Sequence, residues 1–280
     1  TSGASPIVWI TTIKGQENKN EINITAETGY SEAANLPNYL DSYNYATLYN
    51  EALANDGLDP LYSQEALDAY QTGNNTLRYP NIDYYDRYVK DFSRFTRANV
   101  DFQGGSDKVT YFSNLNYVGS GGYEEVGQET TYDRYKIRGN VDIKLTDFMR
   151  MNVNLSGTYG RAEYPNQGDG AYRYNMFSVL SSYPSNATPI WYEDQLIVSD
   201  NYPVNLTNEL VYGGYAESTE LNTQNLVSLL IDLESVAKGL EFYASAALDA
   251  NNVLVNNLGG TAALYRRVTG TDNELERVVE

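Results

Sequence analysis

Apolar and polar positions alternate from Tyr135 to Gly160 with a single break. Tyr135, Ile137, Gly139, Val141, Ile143 and Leu145 share one parity, and Lys136, Arg138, Asn140, Asp142 and Lys144 share the other. After Thr146-Asp147-Phe148 the alternation resumes. Met149, Met151, Val153, Leu155, Gly157 and Tyr159 face one way, and Arg150, Asn152, Asn154, Ser156 and Thr158 face the other. Successive side chains of a strand point to opposite faces, so the stretch predicts a β-hairpin with one apolar and one polar face. Each arm has the roughly 9–11 residues of a membrane-crossing β-strand, longer than the roughly 5–6 of an ordinary globular strand.

The same reading extends along the chain. An apolar run, Ile7 to Thr12, is followed by an alternating strand from Glu21 to Tyr30. A long excursion over about residues 31–97 carries helical spacing at Tyr39, Tyr43, Ala46, Tyr49 and Leu53, closed by Gly57 and Pro60. A shorter helix is expected after Ser63 and stops at Gly73, and a third, Tyr-rich element begins at Pro80. Strands follow over Arg97–Gln103 and Lys108–Val118, then the hairpin, then a second excursion over about 161–222. Thr223–Leu233 and a strand opening at Leu240 come next, with a further strand expected near Leu264. The links between strands run long, short, medium, short, long, short. Short turns therefore gather at one end and long loops at the other, as in an up-and-down membrane barrel.

Charge follows the same division. The chain has 280 residues, 37 acidic and 19 basic, for a net charge of −18. Residues 31–91 hold ten acids and three bases, 119–134 four and one, and 161–222 eight and two, while 135–160 is net +2. Acidity therefore sits at the long-loop end. It reads either as solvation of exposed loops or as recruitment of a cation or basic partner, and no calcium-loop spacing supports a metal site. A strongly acidic chain excludes nucleic acid as a partner. With no cysteine and no histidine, thiolate chemistry, histidine triads and the usual zinc sites are excluded. Adjacent carboxylates such as Glu124-Glu125 and Glu193-Asp194 sit in loops outside any catalytic motif, so no enzyme activity and no cofactor is expected. The chain opens on Thr1-Ser2-Gly3-Ala4 without a leader pattern and stops on a charged strand-like run, so it reads as a segment of a longer protein.

Several motifs, in order, carry a family resemblance. Gly3-Ala4-Ser5-Pro6-Ile7-Val8-Trp9-Ile10-Thr11-Thr12-Ile13-Lys14-Gly15 resembles the segment that closes the plug domain of SusC/RagA-type TonB-dependent outer-membrane transporters, with Trp9, Ile13 and Pro6 departing from the usual pattern. Leu48-Tyr49-Asn50-Glu51-Ala52, Asp56-Gly57-Leu58, Tyr62-Ser63 and Tyr79-Pro80-Asn81-Ile82-Asp83 look like the family's first extracellular loop. Gly104-Gly105 with Tyr111-Phe112, and Arg134-Tyr135 with Arg138, Asn140 and Asp142, are similar to its turn and strand motifs. The resemblance covers residues 3–160; beyond that, only the strand pattern supports it.

It implies an all-β fold: a partial transmembrane antiparallel up-and-down barrel, from a barrel of about 22 strands, with helical segments in long extracellular loops. Residues 1–15 would end the plug and 16–280 would supply the first seven to eight strands. The implied function is TonB-dependent import of oligosaccharides or peptides across the outer membrane of a Gram-negative bacterium. The implied partners are a SusD-like lipoprotein, the TonB complex (through a part outside this chain) and outer-membrane lipid. A soluble β-rich cell-surface binding or adhesion module is the alternative, and a glycan-active enzyme a third.

Candidate site residues follow from both readings. Lys136, Arg138, Asn140, Asp142, Asn152 and Asn154 are expected to face the barrel lumen, as a hydrated wall or as the lining of a passage. Tyr117, Tyr135 and Tyr159 suit an interfacial aromatic girdle. Tyr79, Tyr84, Tyr85, Trp191 and Tyr192 are the loop aromatics that would stack on sugar rings or grip a peptide, if they do not pack within the loops.

Overall fold

The computed structural model describes residues 15–166, 176–271 and 273–278. The apolar run before Lys14 and the aromatics Tyr172 and Tyr174 lie outside the described residues. The strands are β1 (Glu21–Glu32), β2 (Phe92–Gly105), β3 (Val109–Gly121), β4 (Thr131–Thr146), β5 (Met149–Pro165), β6 (Trp191–Tyr192), β7 (Gln195–Ile197), β8 (Gly214–Asp232), β9 (Glu241–Gly259), β10 (Leu264–Arg267) and β11 (Leu275–Arg277). The helices are α1 (Ser42–Asn55), α2 (Gln64–Thr72), α3 (Tyr84–Tyr88) and α4 (Met176–Ser182), with a π-helical turn over Asn208–Tyr212.

Seven strands form one antiparallel sheet in the order β1-β2-β3-β4-β5-β8-β9, each pairing with the next along the chain in this sheet. The expected hairpin is present in register: Tyr135 faces Tyr159, Val141 faces Val153 and Ile143 faces Met151. Turns between β2 and β3, β4 and β5, and β8 and β9 lie at one end, and the two excursions and the 122–130 loop lie at the other.

The strands outrun their sequence pattern at the long-loop end. β5 continues to Pro165 and β8 begins at Gly214, so the second excursion shortens to 166–213. The first likewise shortens to 33–91. Beyond Tyr159 the positions of its parity are charged or polar (Arg161, Glu163, and Thr219 and Glu217 opposite them), so alternation disappears while the backbone ladder persists. The expected strand near Leu264 forms but does not extend the sheet. It pairs in parallel with β7 in a four-stranded sheet of order β11-β10-β7-β6. Leu264 is buried with Leu196 and Val198, and that contact holds β10 with the loops.

The two excursions fold together as a cap. α1 is capped by Asp41, whose carboxylate accepts from the Asn44 amide, and α2 by Ser63, with Gly73 closing it in the left-handed conformation. The cap core joins Tyr84, Tyr85, Tyr88 and Val89 of the first excursion to Val179, Leu180, Tyr183, Ile190, Val204 and Leu206 of the second. Polar links cross the same seam. The Tyr84 hydroxyl donates to the Thr188 carbonyl and accepts from the Thr188 amide, and the Ile82 amide donates to Ser185 O at 2.9 Å. Tyr88 and Thr207 share a hydroxyl hydrogen bond at 2.9 Å. Burial pushes the Tyr84 hydroxyl far above the ordinary tyrosine range, which keeps it a donor at every physiological pH.

The seven-stranded sheet has no comparable core. Of the buried apolar side chains described, only Ala216 and Pro165 belong to it, both at its long-loop end.

Tyr84→Phe leaves the buried Thr188 carbonyl and amide without their partner, a loss of about 1–3 kcal/mol. Hydrogen exchange is expected to rise over 183–190 and over α3 while β3–β5 keep their protection.

Candidate functional site

The sheet presents two chemically distinct faces, and cross-strand register fixes the composition of each. The apolar face is built in rows. Ile24, Val100, Leu115, Ile137 and Gly157 lie side by side across β1 to β5, and Tyr111, Val141, Val153, Val227 and Ala246 form a lower row. Phe242, exposed, closes this face at the short-turn end, beside Ile231 and Met149. Such large apolar side chains stand in the open: Ile24 is 74 % exposed and Leu248 70 %.

One row carries three tyrosines. Tyr117, Tyr135 and Tyr159 are cross-strand neighbours on β3, β4 and β5, with ring centroids 4.9 and 6.3 Å apart. The Tyr117 hydroxyl donates to Asp133 Oδ1 at 2.6 Å. Immediately beyond the tyrosines the face becomes charged, and Arg161 bridges Glu163 at 3.0 Å and Glu217 at 2.7 Å. Ten residues of β4 separate the tyrosine row from Leu145. At roughly 3.3 Å per residue and a tilt of roughly 40°, that length spans about 25 Å, the height of an outer-membrane apolar band. Sequence reasoning missed the Arg161–Glu163–Glu217 cluster because it placed all three residues in a loop.

The opposite face is polar and more sheltered. In β4, Lys136 and Arg138 are half-buried and Asn140 is buried, whereas Tyr135, Ile137 and Leu145 on the other parity are exposed. Amide ladders run across this face. Asn114 donates to Asn99 Oδ1 at 2.7 Å and to Asp101 Oδ1 at 2.6 Å, Asn152 donates to Asp142 Oδ1 at 2.8 Å, and Asn154 donates to Asn152. Lys136, Arg138, Asn140, Asp142, Asn152 and Asn154 therefore share one wall, with Arg138, Asn140, Asn154, Ser156, Gln224 and Asp249 around a recess of about 450 Å³. Arg134 belongs to the same wall and was overlooked, though counting back one alternate step from Lys136 reaches it.

The loop aromatics separate. Tyr84 and Tyr85 are buried in the cap core, so their rings are committed to packing and are out of reach of a ligand. Tyr79 packs edge-on against Tyr70, and Trp191 and Tyr192 form β6, where Trp191 is 39 % exposed. These five residues do not converge on one pocket. Also in the cap, burial raises the Glu209 carboxyl above its usual range, opposed by a hydrogen bond from Asn208.

No family model matches the chain. A TonB-dependent receptor, P26, of Formosa agariphila is 25 % identical over 195 residues, 69 % of this chain and 17 % of that protein. A second receptor of the same organism, P3, is 24 % identical over 155 residues, 55 % of this chain and 13 % of that protein. Among solved structures, the RagAB peptide importer in its closed-closed state superposes with a TM-score of 0.60 at 16 % identity, over 87 % of this chain and 29 % of that one. The chain is similar to TonB-dependent receptors in sequence and shares the fold of part of the RagAB importer. The matched stretch is about a sixth of the length of one curated receptor and about an eighth of the other. The open-open state of the importer superposes less closely, with a TM-score of 0.56 at 17 % identity. The candidate site is thus a wall with two faces, together with the cap at one end of it.

Tyr135→Ala removes the ring that touches both neighbours in the tyrosine row, worth about 0.5–1.5 kcal/mol per aromatic pair beyond the area lost. In the detergent-solubilised receptor it is expected to lower the unfolding temperature more than Tyr132→Ala, which truncates a tyrosine on the polar face.

Proposed function

We propose that this receptor segment forms part of an outer-membrane β-barrel that imports oligosaccharides or peptides, energised through TonB and working with a SusD-like surface lipoprotein. The single observation carrying the reading is the inversion of the seven-stranded sheet. In β3 to β5 the exposed large side chains are those of the apolar parity and the polar parity is the more sheltered, while β1 and β9 at the sheet edges are exposed on both. In water such an arrangement leaves a large apolar surface uncovered. In a bilayer it puts hydrocarbon against hydrocarbon and keeps polar groups on a hydrated lumen.

Within this reading the tyrosine row marks the outer interface of the membrane, and the Arg161 cluster stands in the headgroup layer. The short turns are periplasmic and the cap extracellular. The first residues, before β1, end the plug. The similar proteins are receptors and an importer by name, which supports transport rather than turnover. Tyr79, Trp191 and Tyr192 are the loop aromatics left to meet cargo, because Tyr84 and Tyr85 support the cap from inside. A soluble surface module is disfavoured by the same exposed apolar rows.

The test compares neighbouring positions on opposite faces. Leu155→Arg and Val153→Arg place a charge at mid-height of the apolar face, at a cost of roughly 2–4 kcal/mol in lipid. Both are expected to reduce the amount of full-length receptor assembled in the outer membrane several-fold, while Asn154→Arg, on the polar face between them, assembles near wild-type levels. Equal assembly of all three would rule out the lipid-facing assignment.

A further inference from the structure

The chain enters the sheet through residues 15–20, which are fastened to β2 and β3 ahead of the first β1 pair, Glu21 with Gln103. Gly15 lies directly on the β3 backbone. A Cβ on Gly15 would collide with the amide nitrogen and carbonyl oxygen of Tyr111 and stand 2.7 Å from its carbonyl carbon, so no side chain fits there. Asn18 turns the chain in the left-handed conformation, with φ +57°, and its amide donates to Gly105 O at 3.0 Å. Asn20 Oδ1 accepts from the Tyr111 hydroxyl at 3.4 Å. Gly104 makes room for that bond, because a Cβ there would stand 2.5 Å from the Tyr111 hydroxyl oxygen. Lys19 pairs with Glu21 at 2.6 Å, and Gln103 donates to the same carboxylate oxygen at 2.7 Å. Tyr111 thus meets the segment twice, with its backbone at Gly15 and with its hydroxyl at Asn20.

Strand ends open at little cost, and a ladder loaded at one end loses its bonds one at a time. If residues 15–20 hung free, any pull on the chain before them would open β1 in that way, starting at Glu21. The contacts at Gly15, Asn18 and Asn20 instead pass the pull to Tyr111 and Gly105. Those two residues belong to a hairpin paired from Phe95–Ser120 down to Gly105–Thr110. We propose that residues 15–20 are a tether, a mechanical device that rests on the import reading above. When the chain before Gly15 is pulled through TonB, the tether carries the load and the β1 ladder stays closed. From Gly15 onward the link remains on the wall throughout transport. Its seat is steric at Gly15 and made of backbone at Asn18, so it does not depend on a charge that salt would screen.

The first arm of the test uses the detergent-solubilised full-length receptor and no cargo. Hydrogen exchange over residues 16–24 is expected to be slow in wild type. Gly15→Val is expected to speed it at least tenfold while β4 and β5 keep their protection, and Tyr111→Phe, which removes only the hydroxyl contact, speeds it less. Gly15→Ala, the smallest change that collides, carries the same expectation where Gly15→Val does not assemble. Exchange over 16–24 that these glycine variants leave unchanged overturns the tether. The second arm uses cells expressing the receptor with its partner lipoprotein. Glu17 and Lys108 line one recess, and the 280-residue chain has no cysteine of its own. Glu17→Cys with Lys108→Cys, joined by a short reducible thiol-reactive linker, therefore fixes the link to the wall. The probes are labelled pools of mixed-sequence hexapeptides and of neutral hexasaccharides. Energy-dependent uptake is expected to be equal before and after the linker is reduced, and several-fold lower in Gly15→Val at equal surface level. Uptake blocked by the linker and restored by reduction overturns the tether and leaves import standing, because the link must then leave the wall. Energy-dependent uptake of neither pool by wild type fails the import reading and overturns the load-bearing role with it, even where exchange over 16–24 is slow.

Discussion

The two-residue period of the strand is the constraint on which the rest of this structure depends. A backbone that satisfies its amides and carbonyls by pairing sideways leaves its side chains to alternate between two environments. Here the environments are opposite in polarity over the span of β4 and β5, and register transmits the division from strand to strand. A one-residue slip between β4 and β5 would set Lys136 and Arg138 opposite apolar-parity positions of β5, Tyr159 and Gly157 or Gly157 and Leu155. Seven strands are thereby locked to one register by composition alone, without a hydrophobic core between two layers.

That absence shifts the burden of specific packing to the cap. The sheet is ordered by its ladder and by the opposite polarity of its two faces, whereas the excursions bury their own apolar groups in the ordinary way. They do so across the seam between them: Tyr84, Tyr85 and Tyr88 from one, Val179, Leu180 and Tyr183 from the other. Tyrosine suits this work because each ring fills volume while its hydroxyl satisfies a loop carbonyl, as Tyr84 does for Thr188 and Tyr183 does for Val204. The abundance of tyrosine, 27 residues in the chain, is thus put to two uses: a row of neighbouring rings on the sheet and hydrogen-bonding core residues in the cap.

What was legible in the sequence divides along the same line. Strands whose two faces meet different media announce themselves by alternation, so the hairpin, its turn and its wall residues Lys136 to Asn154 could be placed from residues alone. Alternation fails where both faces meet water, which is why β5 and β8 run on past Tyr159 and Leu221 unannounced. It also says nothing about non-local pairing. Leu264 begins a strand as its residues suggest, yet its partner is Leu196, far back in the chain and in parallel. Tyr84 and Tyr85 illustrate the other limit: an aromatic in a polar loop looks available until the second excursion is seen to cover it.

The polar wall has a consequence of its own. Most of this wall is lined by amides, with Asn99, Asn114, Asn152 and Asn154 joined to one another or to carboxylates. Amide–carboxylate ladders neutralise nothing, but they occupy the acceptors that arginine and lysine would otherwise use. Asp101 and Asp142 accept from asparagines in this way, and Arg138 stands in the same cross-strand row as Asp101, with Asn114 between them. Ion pairing within the wall would have been the simpler use of those charges. Charges set on one half-buried face act on one another more strongly than they would in bulk water.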